Sequence, residues 1–424
     1  MLTAVLSLAV LALVVLVGTV WSVNMGAVAF VAAFLVGNVA GGESAKEILS
    51  SFPGDLFVVL VGVTYLFGIA HSNGAIEWVV SALFRVVRGR AAVIPWIFFL
   101  LSTAICGIGA LSPAVLAILM PVGMTAASSY GVPILLVTIM TGLGSTAGSF
   151  SPLGVGGIIV QGVQDANGLP SDPLLLFGAS FAFAVAAAVA AQLALRAQRS
   201  DTVPASSAPR GEGPGATMAP ALSHRLTGEQ VCTLAGFVVL VVGALVLSVD
   251  VGFLALAIAV VLTIAFPVAG RAALDQISWT IVLLITGILT YVGILQRNGT
   301  IDWLGGAVVG LGFPLLAALL ICVIGAVISA FASTAGILAA VVPLTVPLVG
   351  AHASIGAIGL VVALAISSSL VDVSPFSTGG AIAMANATGP ERTRIYRGLL
   401  TFAGSMTVAG PLLSWALLVV WGTF

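Results

Sequence analysis

Ser149-Phe-Ser-Pro-Leu-Gly-Val-Gly-Gly157 and Asp372-Val-Ser-Pro-Phe-Ser-Thr-Gly-Gly380 interrupt two apolar stretches in the same way, every position of one lying 223 residues from its counterpart in the other. Proline, glycine and several hydroxyls together break a helix and free backbone polar groups. Inside a bilayer such groups persist only where protein or a water-filled cavity satisfies them. Paired interruptions at corresponding places in two halves are the sequence pattern of a transporter whose binding site lies at the breaks.

The composition places those breaks in a membrane. The 424 residues are 60% apolar and 6% charged, outside the range of a soluble globular domain. The net charge of −1 gives no footprint for nucleic acid. Cys106, Cys232 and Cys322 sit in separate apolar stretches without metal-ligand or redox spacing, so they read as small buried hydrophobes. The run from Leu2 to Val20 follows no basic region and is long enough to span, so it reads as a retained first helix.

A crossing of about 30 Å takes roughly 20 apolar residues. Spans are therefore expected near 2–20, 24–41, 56–71, 132–165 and 171–195, and again near 231–248, 250–268, 278–296, 354–389 and 397–423. The interrupted pair is 132–165 and 354–389. Between the third and fourth span of each half lies an apolar stretch, 93–128 or 312–349, with a small polar middle, Gly107-Ile-Gly-Ala-Leu-Ser-Pro113 or Ser329-Ala-Phe-Ala-Ser-Thr-Ala335. Arms of about fifteen residues suit a re-entrant hairpin better than two crossings. Asn73-Gly-Ala-Ile-Glu-Trp78 and Asn298-Gly-Thr-Ile-Asp-Trp303, each after the third span, repeat as well.

The expected fold is thus an all-α polytopic membrane protein of two repeats, 1–195 and 229–424, each with five transmembrane helices, one of them broken, and a re-entrant hairpin. Five crossings per repeat invert the second copy relative to the first. Residues 196–228, rich in Pro, Ser, Ala and Gly, read as a cytoplasmic linker. On that topology Arg85, Arg88, Arg90, Arg196, Arg199, Arg210, Arg225, Arg271, Arg392, Arg394 and Arg397 lie in loops on one side, and Lys46 and Arg297 in loops on the other. The positive-inside rule makes the first side cytoplasmic and both termini extracytoplasmic. Trp21, Trp78, Trp96, Trp279, Trp303, Tyr130 and Tyr291 fall near span ends as an interfacial belt would. His71, His224 and His352 read as surface histidines.

With every Lys and Arg outside the spans, a bound anion must meet other positive charge. Helix N-termini supply it, at roughly half a charge each, and so do cations held by hydroxyls and unwound carbonyls. Four half-helices starting near Pro113, Pro152, Ala335 and Pro375 can face one cavity suited to a small carboxylate. Asp372 alone among the acids lies well inside an apolar span, where a carboxylate costs on the order of 2.5–3.5 kcal/mol and calls for a cation, a proton or a capping role. Its repeat mate is Ser149, so a charged ligand set is expected in one half. Isolated hydroxyls in such helices bond back to carbonyls. The paired ones are the candidates: Ser145, Thr146, Ser149 and Ser151 with Ser368, Ser369, Ser374, Ser377 and Thr378, and Ser112, Ser333 and Thr334 at the hairpin tips.

Several strings carry a family resemblance: Val23-Asn-Met-Gly-Ala-Val-Ala-Phe30, Asp55-Leu-Phe57 with Val63-Thr-Tyr-Leu-Phe67, Val87-Arg-Gly-Arg90, Ile94-Pro-Trp96, Val327-Ile-Ser-Ala-Phe-Ala-Ser-Thr334 and Val371-Asp-Val-Ser-Pro-Phe-Ser-Thr378. The chain resembles the MatC-type dicarboxylate (malonate) carriers, a family similar in turn to the divalent-anion/sodium symporters of the ion transporter superfamily. The resemblance implies a dimerising scaffold part and a transport part of hairpins and broken helices that moves as an elevator. It implies substrate carboxylates at the tips Ser112 and Ser333-Thr334; Pro113 and the paired hydroxyls Ser149, Ser151, Ser374, Ser377 and Thr378 complete the expected substrate site. Cations would sit between tip and break, near Gly109, Ser145, Thr146, Ser329, Ser368, Ser369 and Asp372. Where the sodium symporters carry Ser-Asn-Thr, this chain reads Ser112-Pro113-Ala114 and Ser333-Thr334-Ala335, so Na⁺ and H⁺ stand as alternative coupling ions.

The expectation is a secondary symporter importing malonate or a C4 dicarboxylate across a bacterial-type inner membrane, homodimeric, with no cofactor beyond Na⁺ or H⁺ and no enzymatic motif. Its rivals are a cation/proton antiporter exchanging at Asp372, and the membrane subunit of a decarboxylase-driven sodium pump.

Overall fold

The computed structural model describes residues 2–21, 23–76, 78–79, 91–197, 226–247, 249–301, 303, 313–330, 334–351, 355–387 and 389–422. Ser333, Arg85, Arg88, Arg90, Arg199, Arg210, Arg225, His224, His352 and most of the linker lie outside the described residues.

In the first half the helices are α1 (Leu2–Val20), α2 (Met25–Leu35), α3 (Ala45–Leu49), α4 (Gly54–Ser72), α5 (Ile94–Gly107), α6 (Ser112–Ser129), α7 (Ile134–Ser149), α8 (Val155–Ala166) and α9 (Pro173–Ala197). The second half contributes α10 (Gly228–Leu245), α11 (Val251–Ala265), α12 (Pro267–Leu274), α13 (Trp279–Arg297), α14 (Pro314–Ser329), α15 (Thr334–Val341), α16 (Val346–Ala351), α17 (Ala357–Leu370), α18 (Thr378–Asn386) and α19 (Gly389–Trp415). Among the described residues five stretches, within α4, α6, α9, α13 and α19 with its extension to Val420, are long and apolar enough to cross a membrane, and this is a multi-pass membrane protein. Both anticipated interruptions are present, between α7 and α8 and between α17 and α18.

Three boundaries differ from the sequence reading. The second arm of each expected hairpin covers 18 residues rather than about fifteen, as α6, itself long enough to cross, and as the stretch from Thr334 to Ala351. Pro121 sits inside α6, whereas Pro343, 222 residues on, starts the 3₁₀ turn Val342–Thr345 between α15 and α16. A second proline, Pro347, removes one more backbone donor there, and the α-helix does not carry through. The span expected to reach 268 stops at Ala265, because Pro267 opens α12, a short helix in the position α3 holds in the first half. The last helix begins at Gly389, not 397, so Arg392, Arg394 and Arg397 ride on its first turns. Indeed Lys46, Arg271 and Arg297 also lie on helix ends rather than in loops.

The two halves are packed by exchange. Helix α2 lies along α13 and α4 along α11, so the second span of each half pairs with the third span of the other. Glycine permits both contacts: a Cβ on Gly26 or Gly287 would overlap the opposite backbone in the first pair, and one on Gly62 or Gly252 in the second. Lipid supplies no hydrophobic force between helices, so close backbone approach and polar ties hold such pairs. The ties are exchanged too. Asn73 donates to Thr233 of α10 at 2.7 Å, and Asn298 donates to Ser7 of α1 at 3.0 Å.

A second set of helices surrounds the breaks. Helix α5 packs closely on α7, where Gly144 and Gly148 face the carbonyls of Phe99 and Thr103; α14 and α19 flank α17. The sets meet where α13 touches α15 and α4 touches α8. One belt residue is corrected: Tyr291 is fully buried in the middle of α13 and donates to the Ser7 carbonyl at 2.7 Å. An aromatic with a polar tip can satisfy that tip on a neighbouring helix as well as at an interface.

Candidate functional site

Each break uses its own hydroxyls before any ligand is considered. In the first, Ser149 accepts from Gly156 N–H at 3.1 Å, and Ser151 donates to the Gly107 carbonyl, which ties the break to the first hairpin tip. In the second, Ser377 caps α18, accepting from Gly380 N–H at 3.3 Å and donating to the carbonyls of Ser374 at 2.7 Å and Asp372 at 2.5 Å. Ser374 accepts from Phe376 N–H at 3.3 Å. Capping side chains of this kind satisfy donors that a broken helix leaves free.

Both breaks and both tips line one cavity of about 100 Å³. The first residues of four helices meet there: Ser112 and Pro113 of α6, Val155 and Gly156 of α8, Thr334 and Ala335 of α15, Thr378 and Gly379 of α18. Ser145, Thr146 and Ser149 of α7, Ser369 of α17 and Asp372 complete the polar wall, and Leu111, Leu116, Gly142, Phe150, Ile159, Leu338 and Ile281 the apolar one. Ile281 comes from α13, so the cavity sits at the boundary between the two helix sets. By the measure on which one water takes roughly 10–15 Å³, there is room for several waters or a molecule of a few heavy atoms.

Among the described residues Asp372 is the only acid on this wall, and no Lys, Arg or His is on it. The Thr334 hydroxyl faces its carboxylate and lies 2.8 Å from the Ser329 hydroxyl. Four helix N-termini contribute roughly half a positive charge each. Among the described residues no three His, Cys, Asp or Glu come together as a metal cluster would need. A monovalent cation held by hydroxyls and carbonyls needs no such cluster.

The structure brings most of the expected residues to this cavity and keeps others away. Ser112, Pro113, Ser145, Thr146, Ser149, Thr334, Ser369, Asp372 and Thr378 line it. Ser151, Ser374 and Ser377 do not: Ser374 and Ser377 are engaged with backbone inside their own break, and Ser151 with Leu153 N–H and the Gly107 carbonyl. Gly109 lies behind the tip at φ +111°, a conformation that favours glycine, where a Cβ would press on Val63 and the Leu153 carbonyl. Ser329 reaches the wall only through Thr334. Ser368 is buried against α14, its hydroxyl without a partner among the described residues, and a Cβ on Gly325 would press on it. Gly156 and Gly379 were missed, although they are 223 residues apart and the repeat offset would have found them together. The apolar residues on the wall carried no signal in the sequence.

Broken helices and paired tips around one small polar cavity define a transporter-like membrane fold. Residues 1–149, about a third of the chain, match the family model of the dicarboxylate carrier protein MatC N-terminus. No curated protein matches the chain. Among solved structures, the YdaH transporter of Alcanivorax borkumensis, described as having an unusual topology, is similar in fold, with a TM-score of 0.50 and 15% identity over 87% of this chain and 86% of that one. Both likenesses are to carriers or transporters, not enzymes.

Proposed function

We propose that the chain is a secondary transporter that imports a small dicarboxylate, malonate or a C4 acid, by symport with Na⁺ or H⁺. The observation that carries this is the cavity where four helix N-termini converge with Asp372 and, among the described residues, no basic side chain. The charges then decide the coupling. Four N-termini amount to roughly +2, a dicarboxylate brings −2 and an ionised Asp372 −1. The loaded cavity is short of about one positive charge, which one cation beside Asp372 or one proton upon it provides. The match of residues 1–149 to a dicarboxylate carrier region supports the substrate class.

The reading includes two inverted repeats, 1–195 and 229–424, in a bacterial-type inner membrane with both termini outside and a homodimeric scaffold. The exchanged packing of α2 with α13 and α4 with α11 supports a two-fold relation between the halves. Alternating access is elevator-like: the breaks and tips move against α4 and α13, which pack on them chiefly at α8 and α15.

Uptake of labelled malonate and succinate into proteoliposomes, with Na⁺ and pH gradients imposed separately, tests the proposal. Concentrative uptake driven by one of the gradients is expected. Cation–proton exchange that ignores both acids would establish the antiporter reading instead, and uptake indifferent to both gradients would refute symport.

A further inference from the structure

A second cavity, of about 1040 Å³, opens between the α6–α7 turn, the end of α9 and the start of α19. It is ten times the size of the first and differently built. Ile139, Ala191, Ala194, Leu195, Phe402 and Met406 give it a largely apolar floor, with Thr401 and Ser405 beside them, and its rim carries Glu391, Arg394 and Arg397. The arginines stand where α19 changes from the polar run Glu391–Arg397 to the apolar run that starts at Leu399, which is the level of lipid headgroups. Arg394 is tied only loosely, at 3.7 Å to Glu391 with both side chains well exposed, and Arg397 makes no ion pair among the described residues.

We propose that this cavity binds an anionic phospholipid of the surrounding bilayer, its phosphate on Arg394 and Arg397 and an acyl chain along the floor from Ala194 to Met406. Charge complementarity and shape both favour that occupant. The rim, two cations against one carboxylate, keeps a net positive charge, and basic recesses between membrane helices select anionic headgroups. A free small anion would use the arginines but leave the apolar floor empty, and a zwitterionic lipid would use the floor but gain little from the arginines. The site goes beyond the transport reading, since it shares no residue with the cavity at the breaks.

The test is native mass spectrometry and thermal unfolding of the purified full chain with phosphatidylglycerol, phosphatidylcholine, inorganic phosphate or malonate. Phosphatidylglycerol should be retained and should raise the unfolding temperature more than the other three. The double variant Arg394→Ala/Arg397→Ala should lower its retention on the order of tenfold or more, as expected for two basic residues at a membrane surface. Ala194→Trp, which fills the floor and keeps both arginines, should lower it too, and decides the matter if the double variant does not fold. Equal retention of the two lipids, wild-type retention in both variants, or equal protection by phosphate or malonate would overturn the proposal. So would a wild-type dimer that both variants convert to monomer, which would assign the cavity to a second copy.

Discussion

At the scale of single residues, the hydroxyls near the breaks divide into those that hold the backbone and those that face the cavity. Ser377 belongs to the first group and Thr334 to the second. Ser377→Ala should lower thermal stability by about 1 kcal/mol, the usual worth of an N-cap, while the KM for uptake changes little. Thr334→Val removes the hydroxyl that links Ser329 to Asp372, and should weaken ion-dependent uptake by about tenfold, the scale of a hydrogen bond to a charged group. Asp372→Asn should remove accumulation against a gradient and leave the unfolding temperature near wild type; accumulation as in wild type would deny Asp372 a coupling role. The sequence offered these residues by type and repeat offset. It did not say which way each would turn, because Ser149 and Ser151, two positions apart, differ only in the rotation of a broken turn.

At the scale of elements, helix limits were readable wherever proline or glycine set them. Pro133 opens α7, and Gly154 and Ser377 open α8 and α18 after the breaks. The early stop of α11 at Ala265 had its signal in Pro267, which the continuing apolar run masked: the residue before a proline is pushed out of the helical region, and Phe266 sits at φ −132°. Packing between elements rests on small residues. Gly148→Val would drive a side chain into the Thr103 carbonyl and force α5 from α7, a cost of about 1–3 kcal/mol for overpacking. Gly178→Ala, in α9 with open space around it, should be neutral or stabilise by up to about 1 kcal/mol through helix propensity. Denaturation of the two variants side by side checks the contrast. Helix α3 gives a pH prediction. Two hydrogen bonds from Ser44 hold the Glu47 carboxyl below its ordinary value of 4.5, so the capping box is fully formed above that value and is lost as pH falls through the lower, folded one. Hydrogen exchange of the α3 amides should therefore speed up, relative to the intrinsic rate, on acidification below 4.5 in wild type and not in Glu47→Gln.

At the scale of the whole molecule, the 223-residue offset between the two breaks could be seen in the chain, but the exchange of helices between its halves could not. A repeat offset says that α2 and α11 are equivalent; it does not say that each lies against the third span of the other half. That exchange places α13 beside α15 and α4 beside α8, and so puts the cavity between two helix sets. If the sets slide during transport, a tie across their boundary should stop it. Gln296 at the end of α13 donates to Asn167 just past α8. Cysteines at these two positions, in a background lacking Cys106, Cys232 and Cys322, should cross-link and arrest uptake, with reductant restoring it. Unimpaired uptake by the fully cross-linked protein would mean that the two helices keep their spacing throughout the cycle. The most direct measurement of the central claim is a structure of the chain with malonate bound. The account predicts ligand density among Ser112, Ser149, Thr334 and Thr378, with Asp372 beside it and no arginine in reach. Malonate seated instead on Arg394 and Arg397 would contradict it.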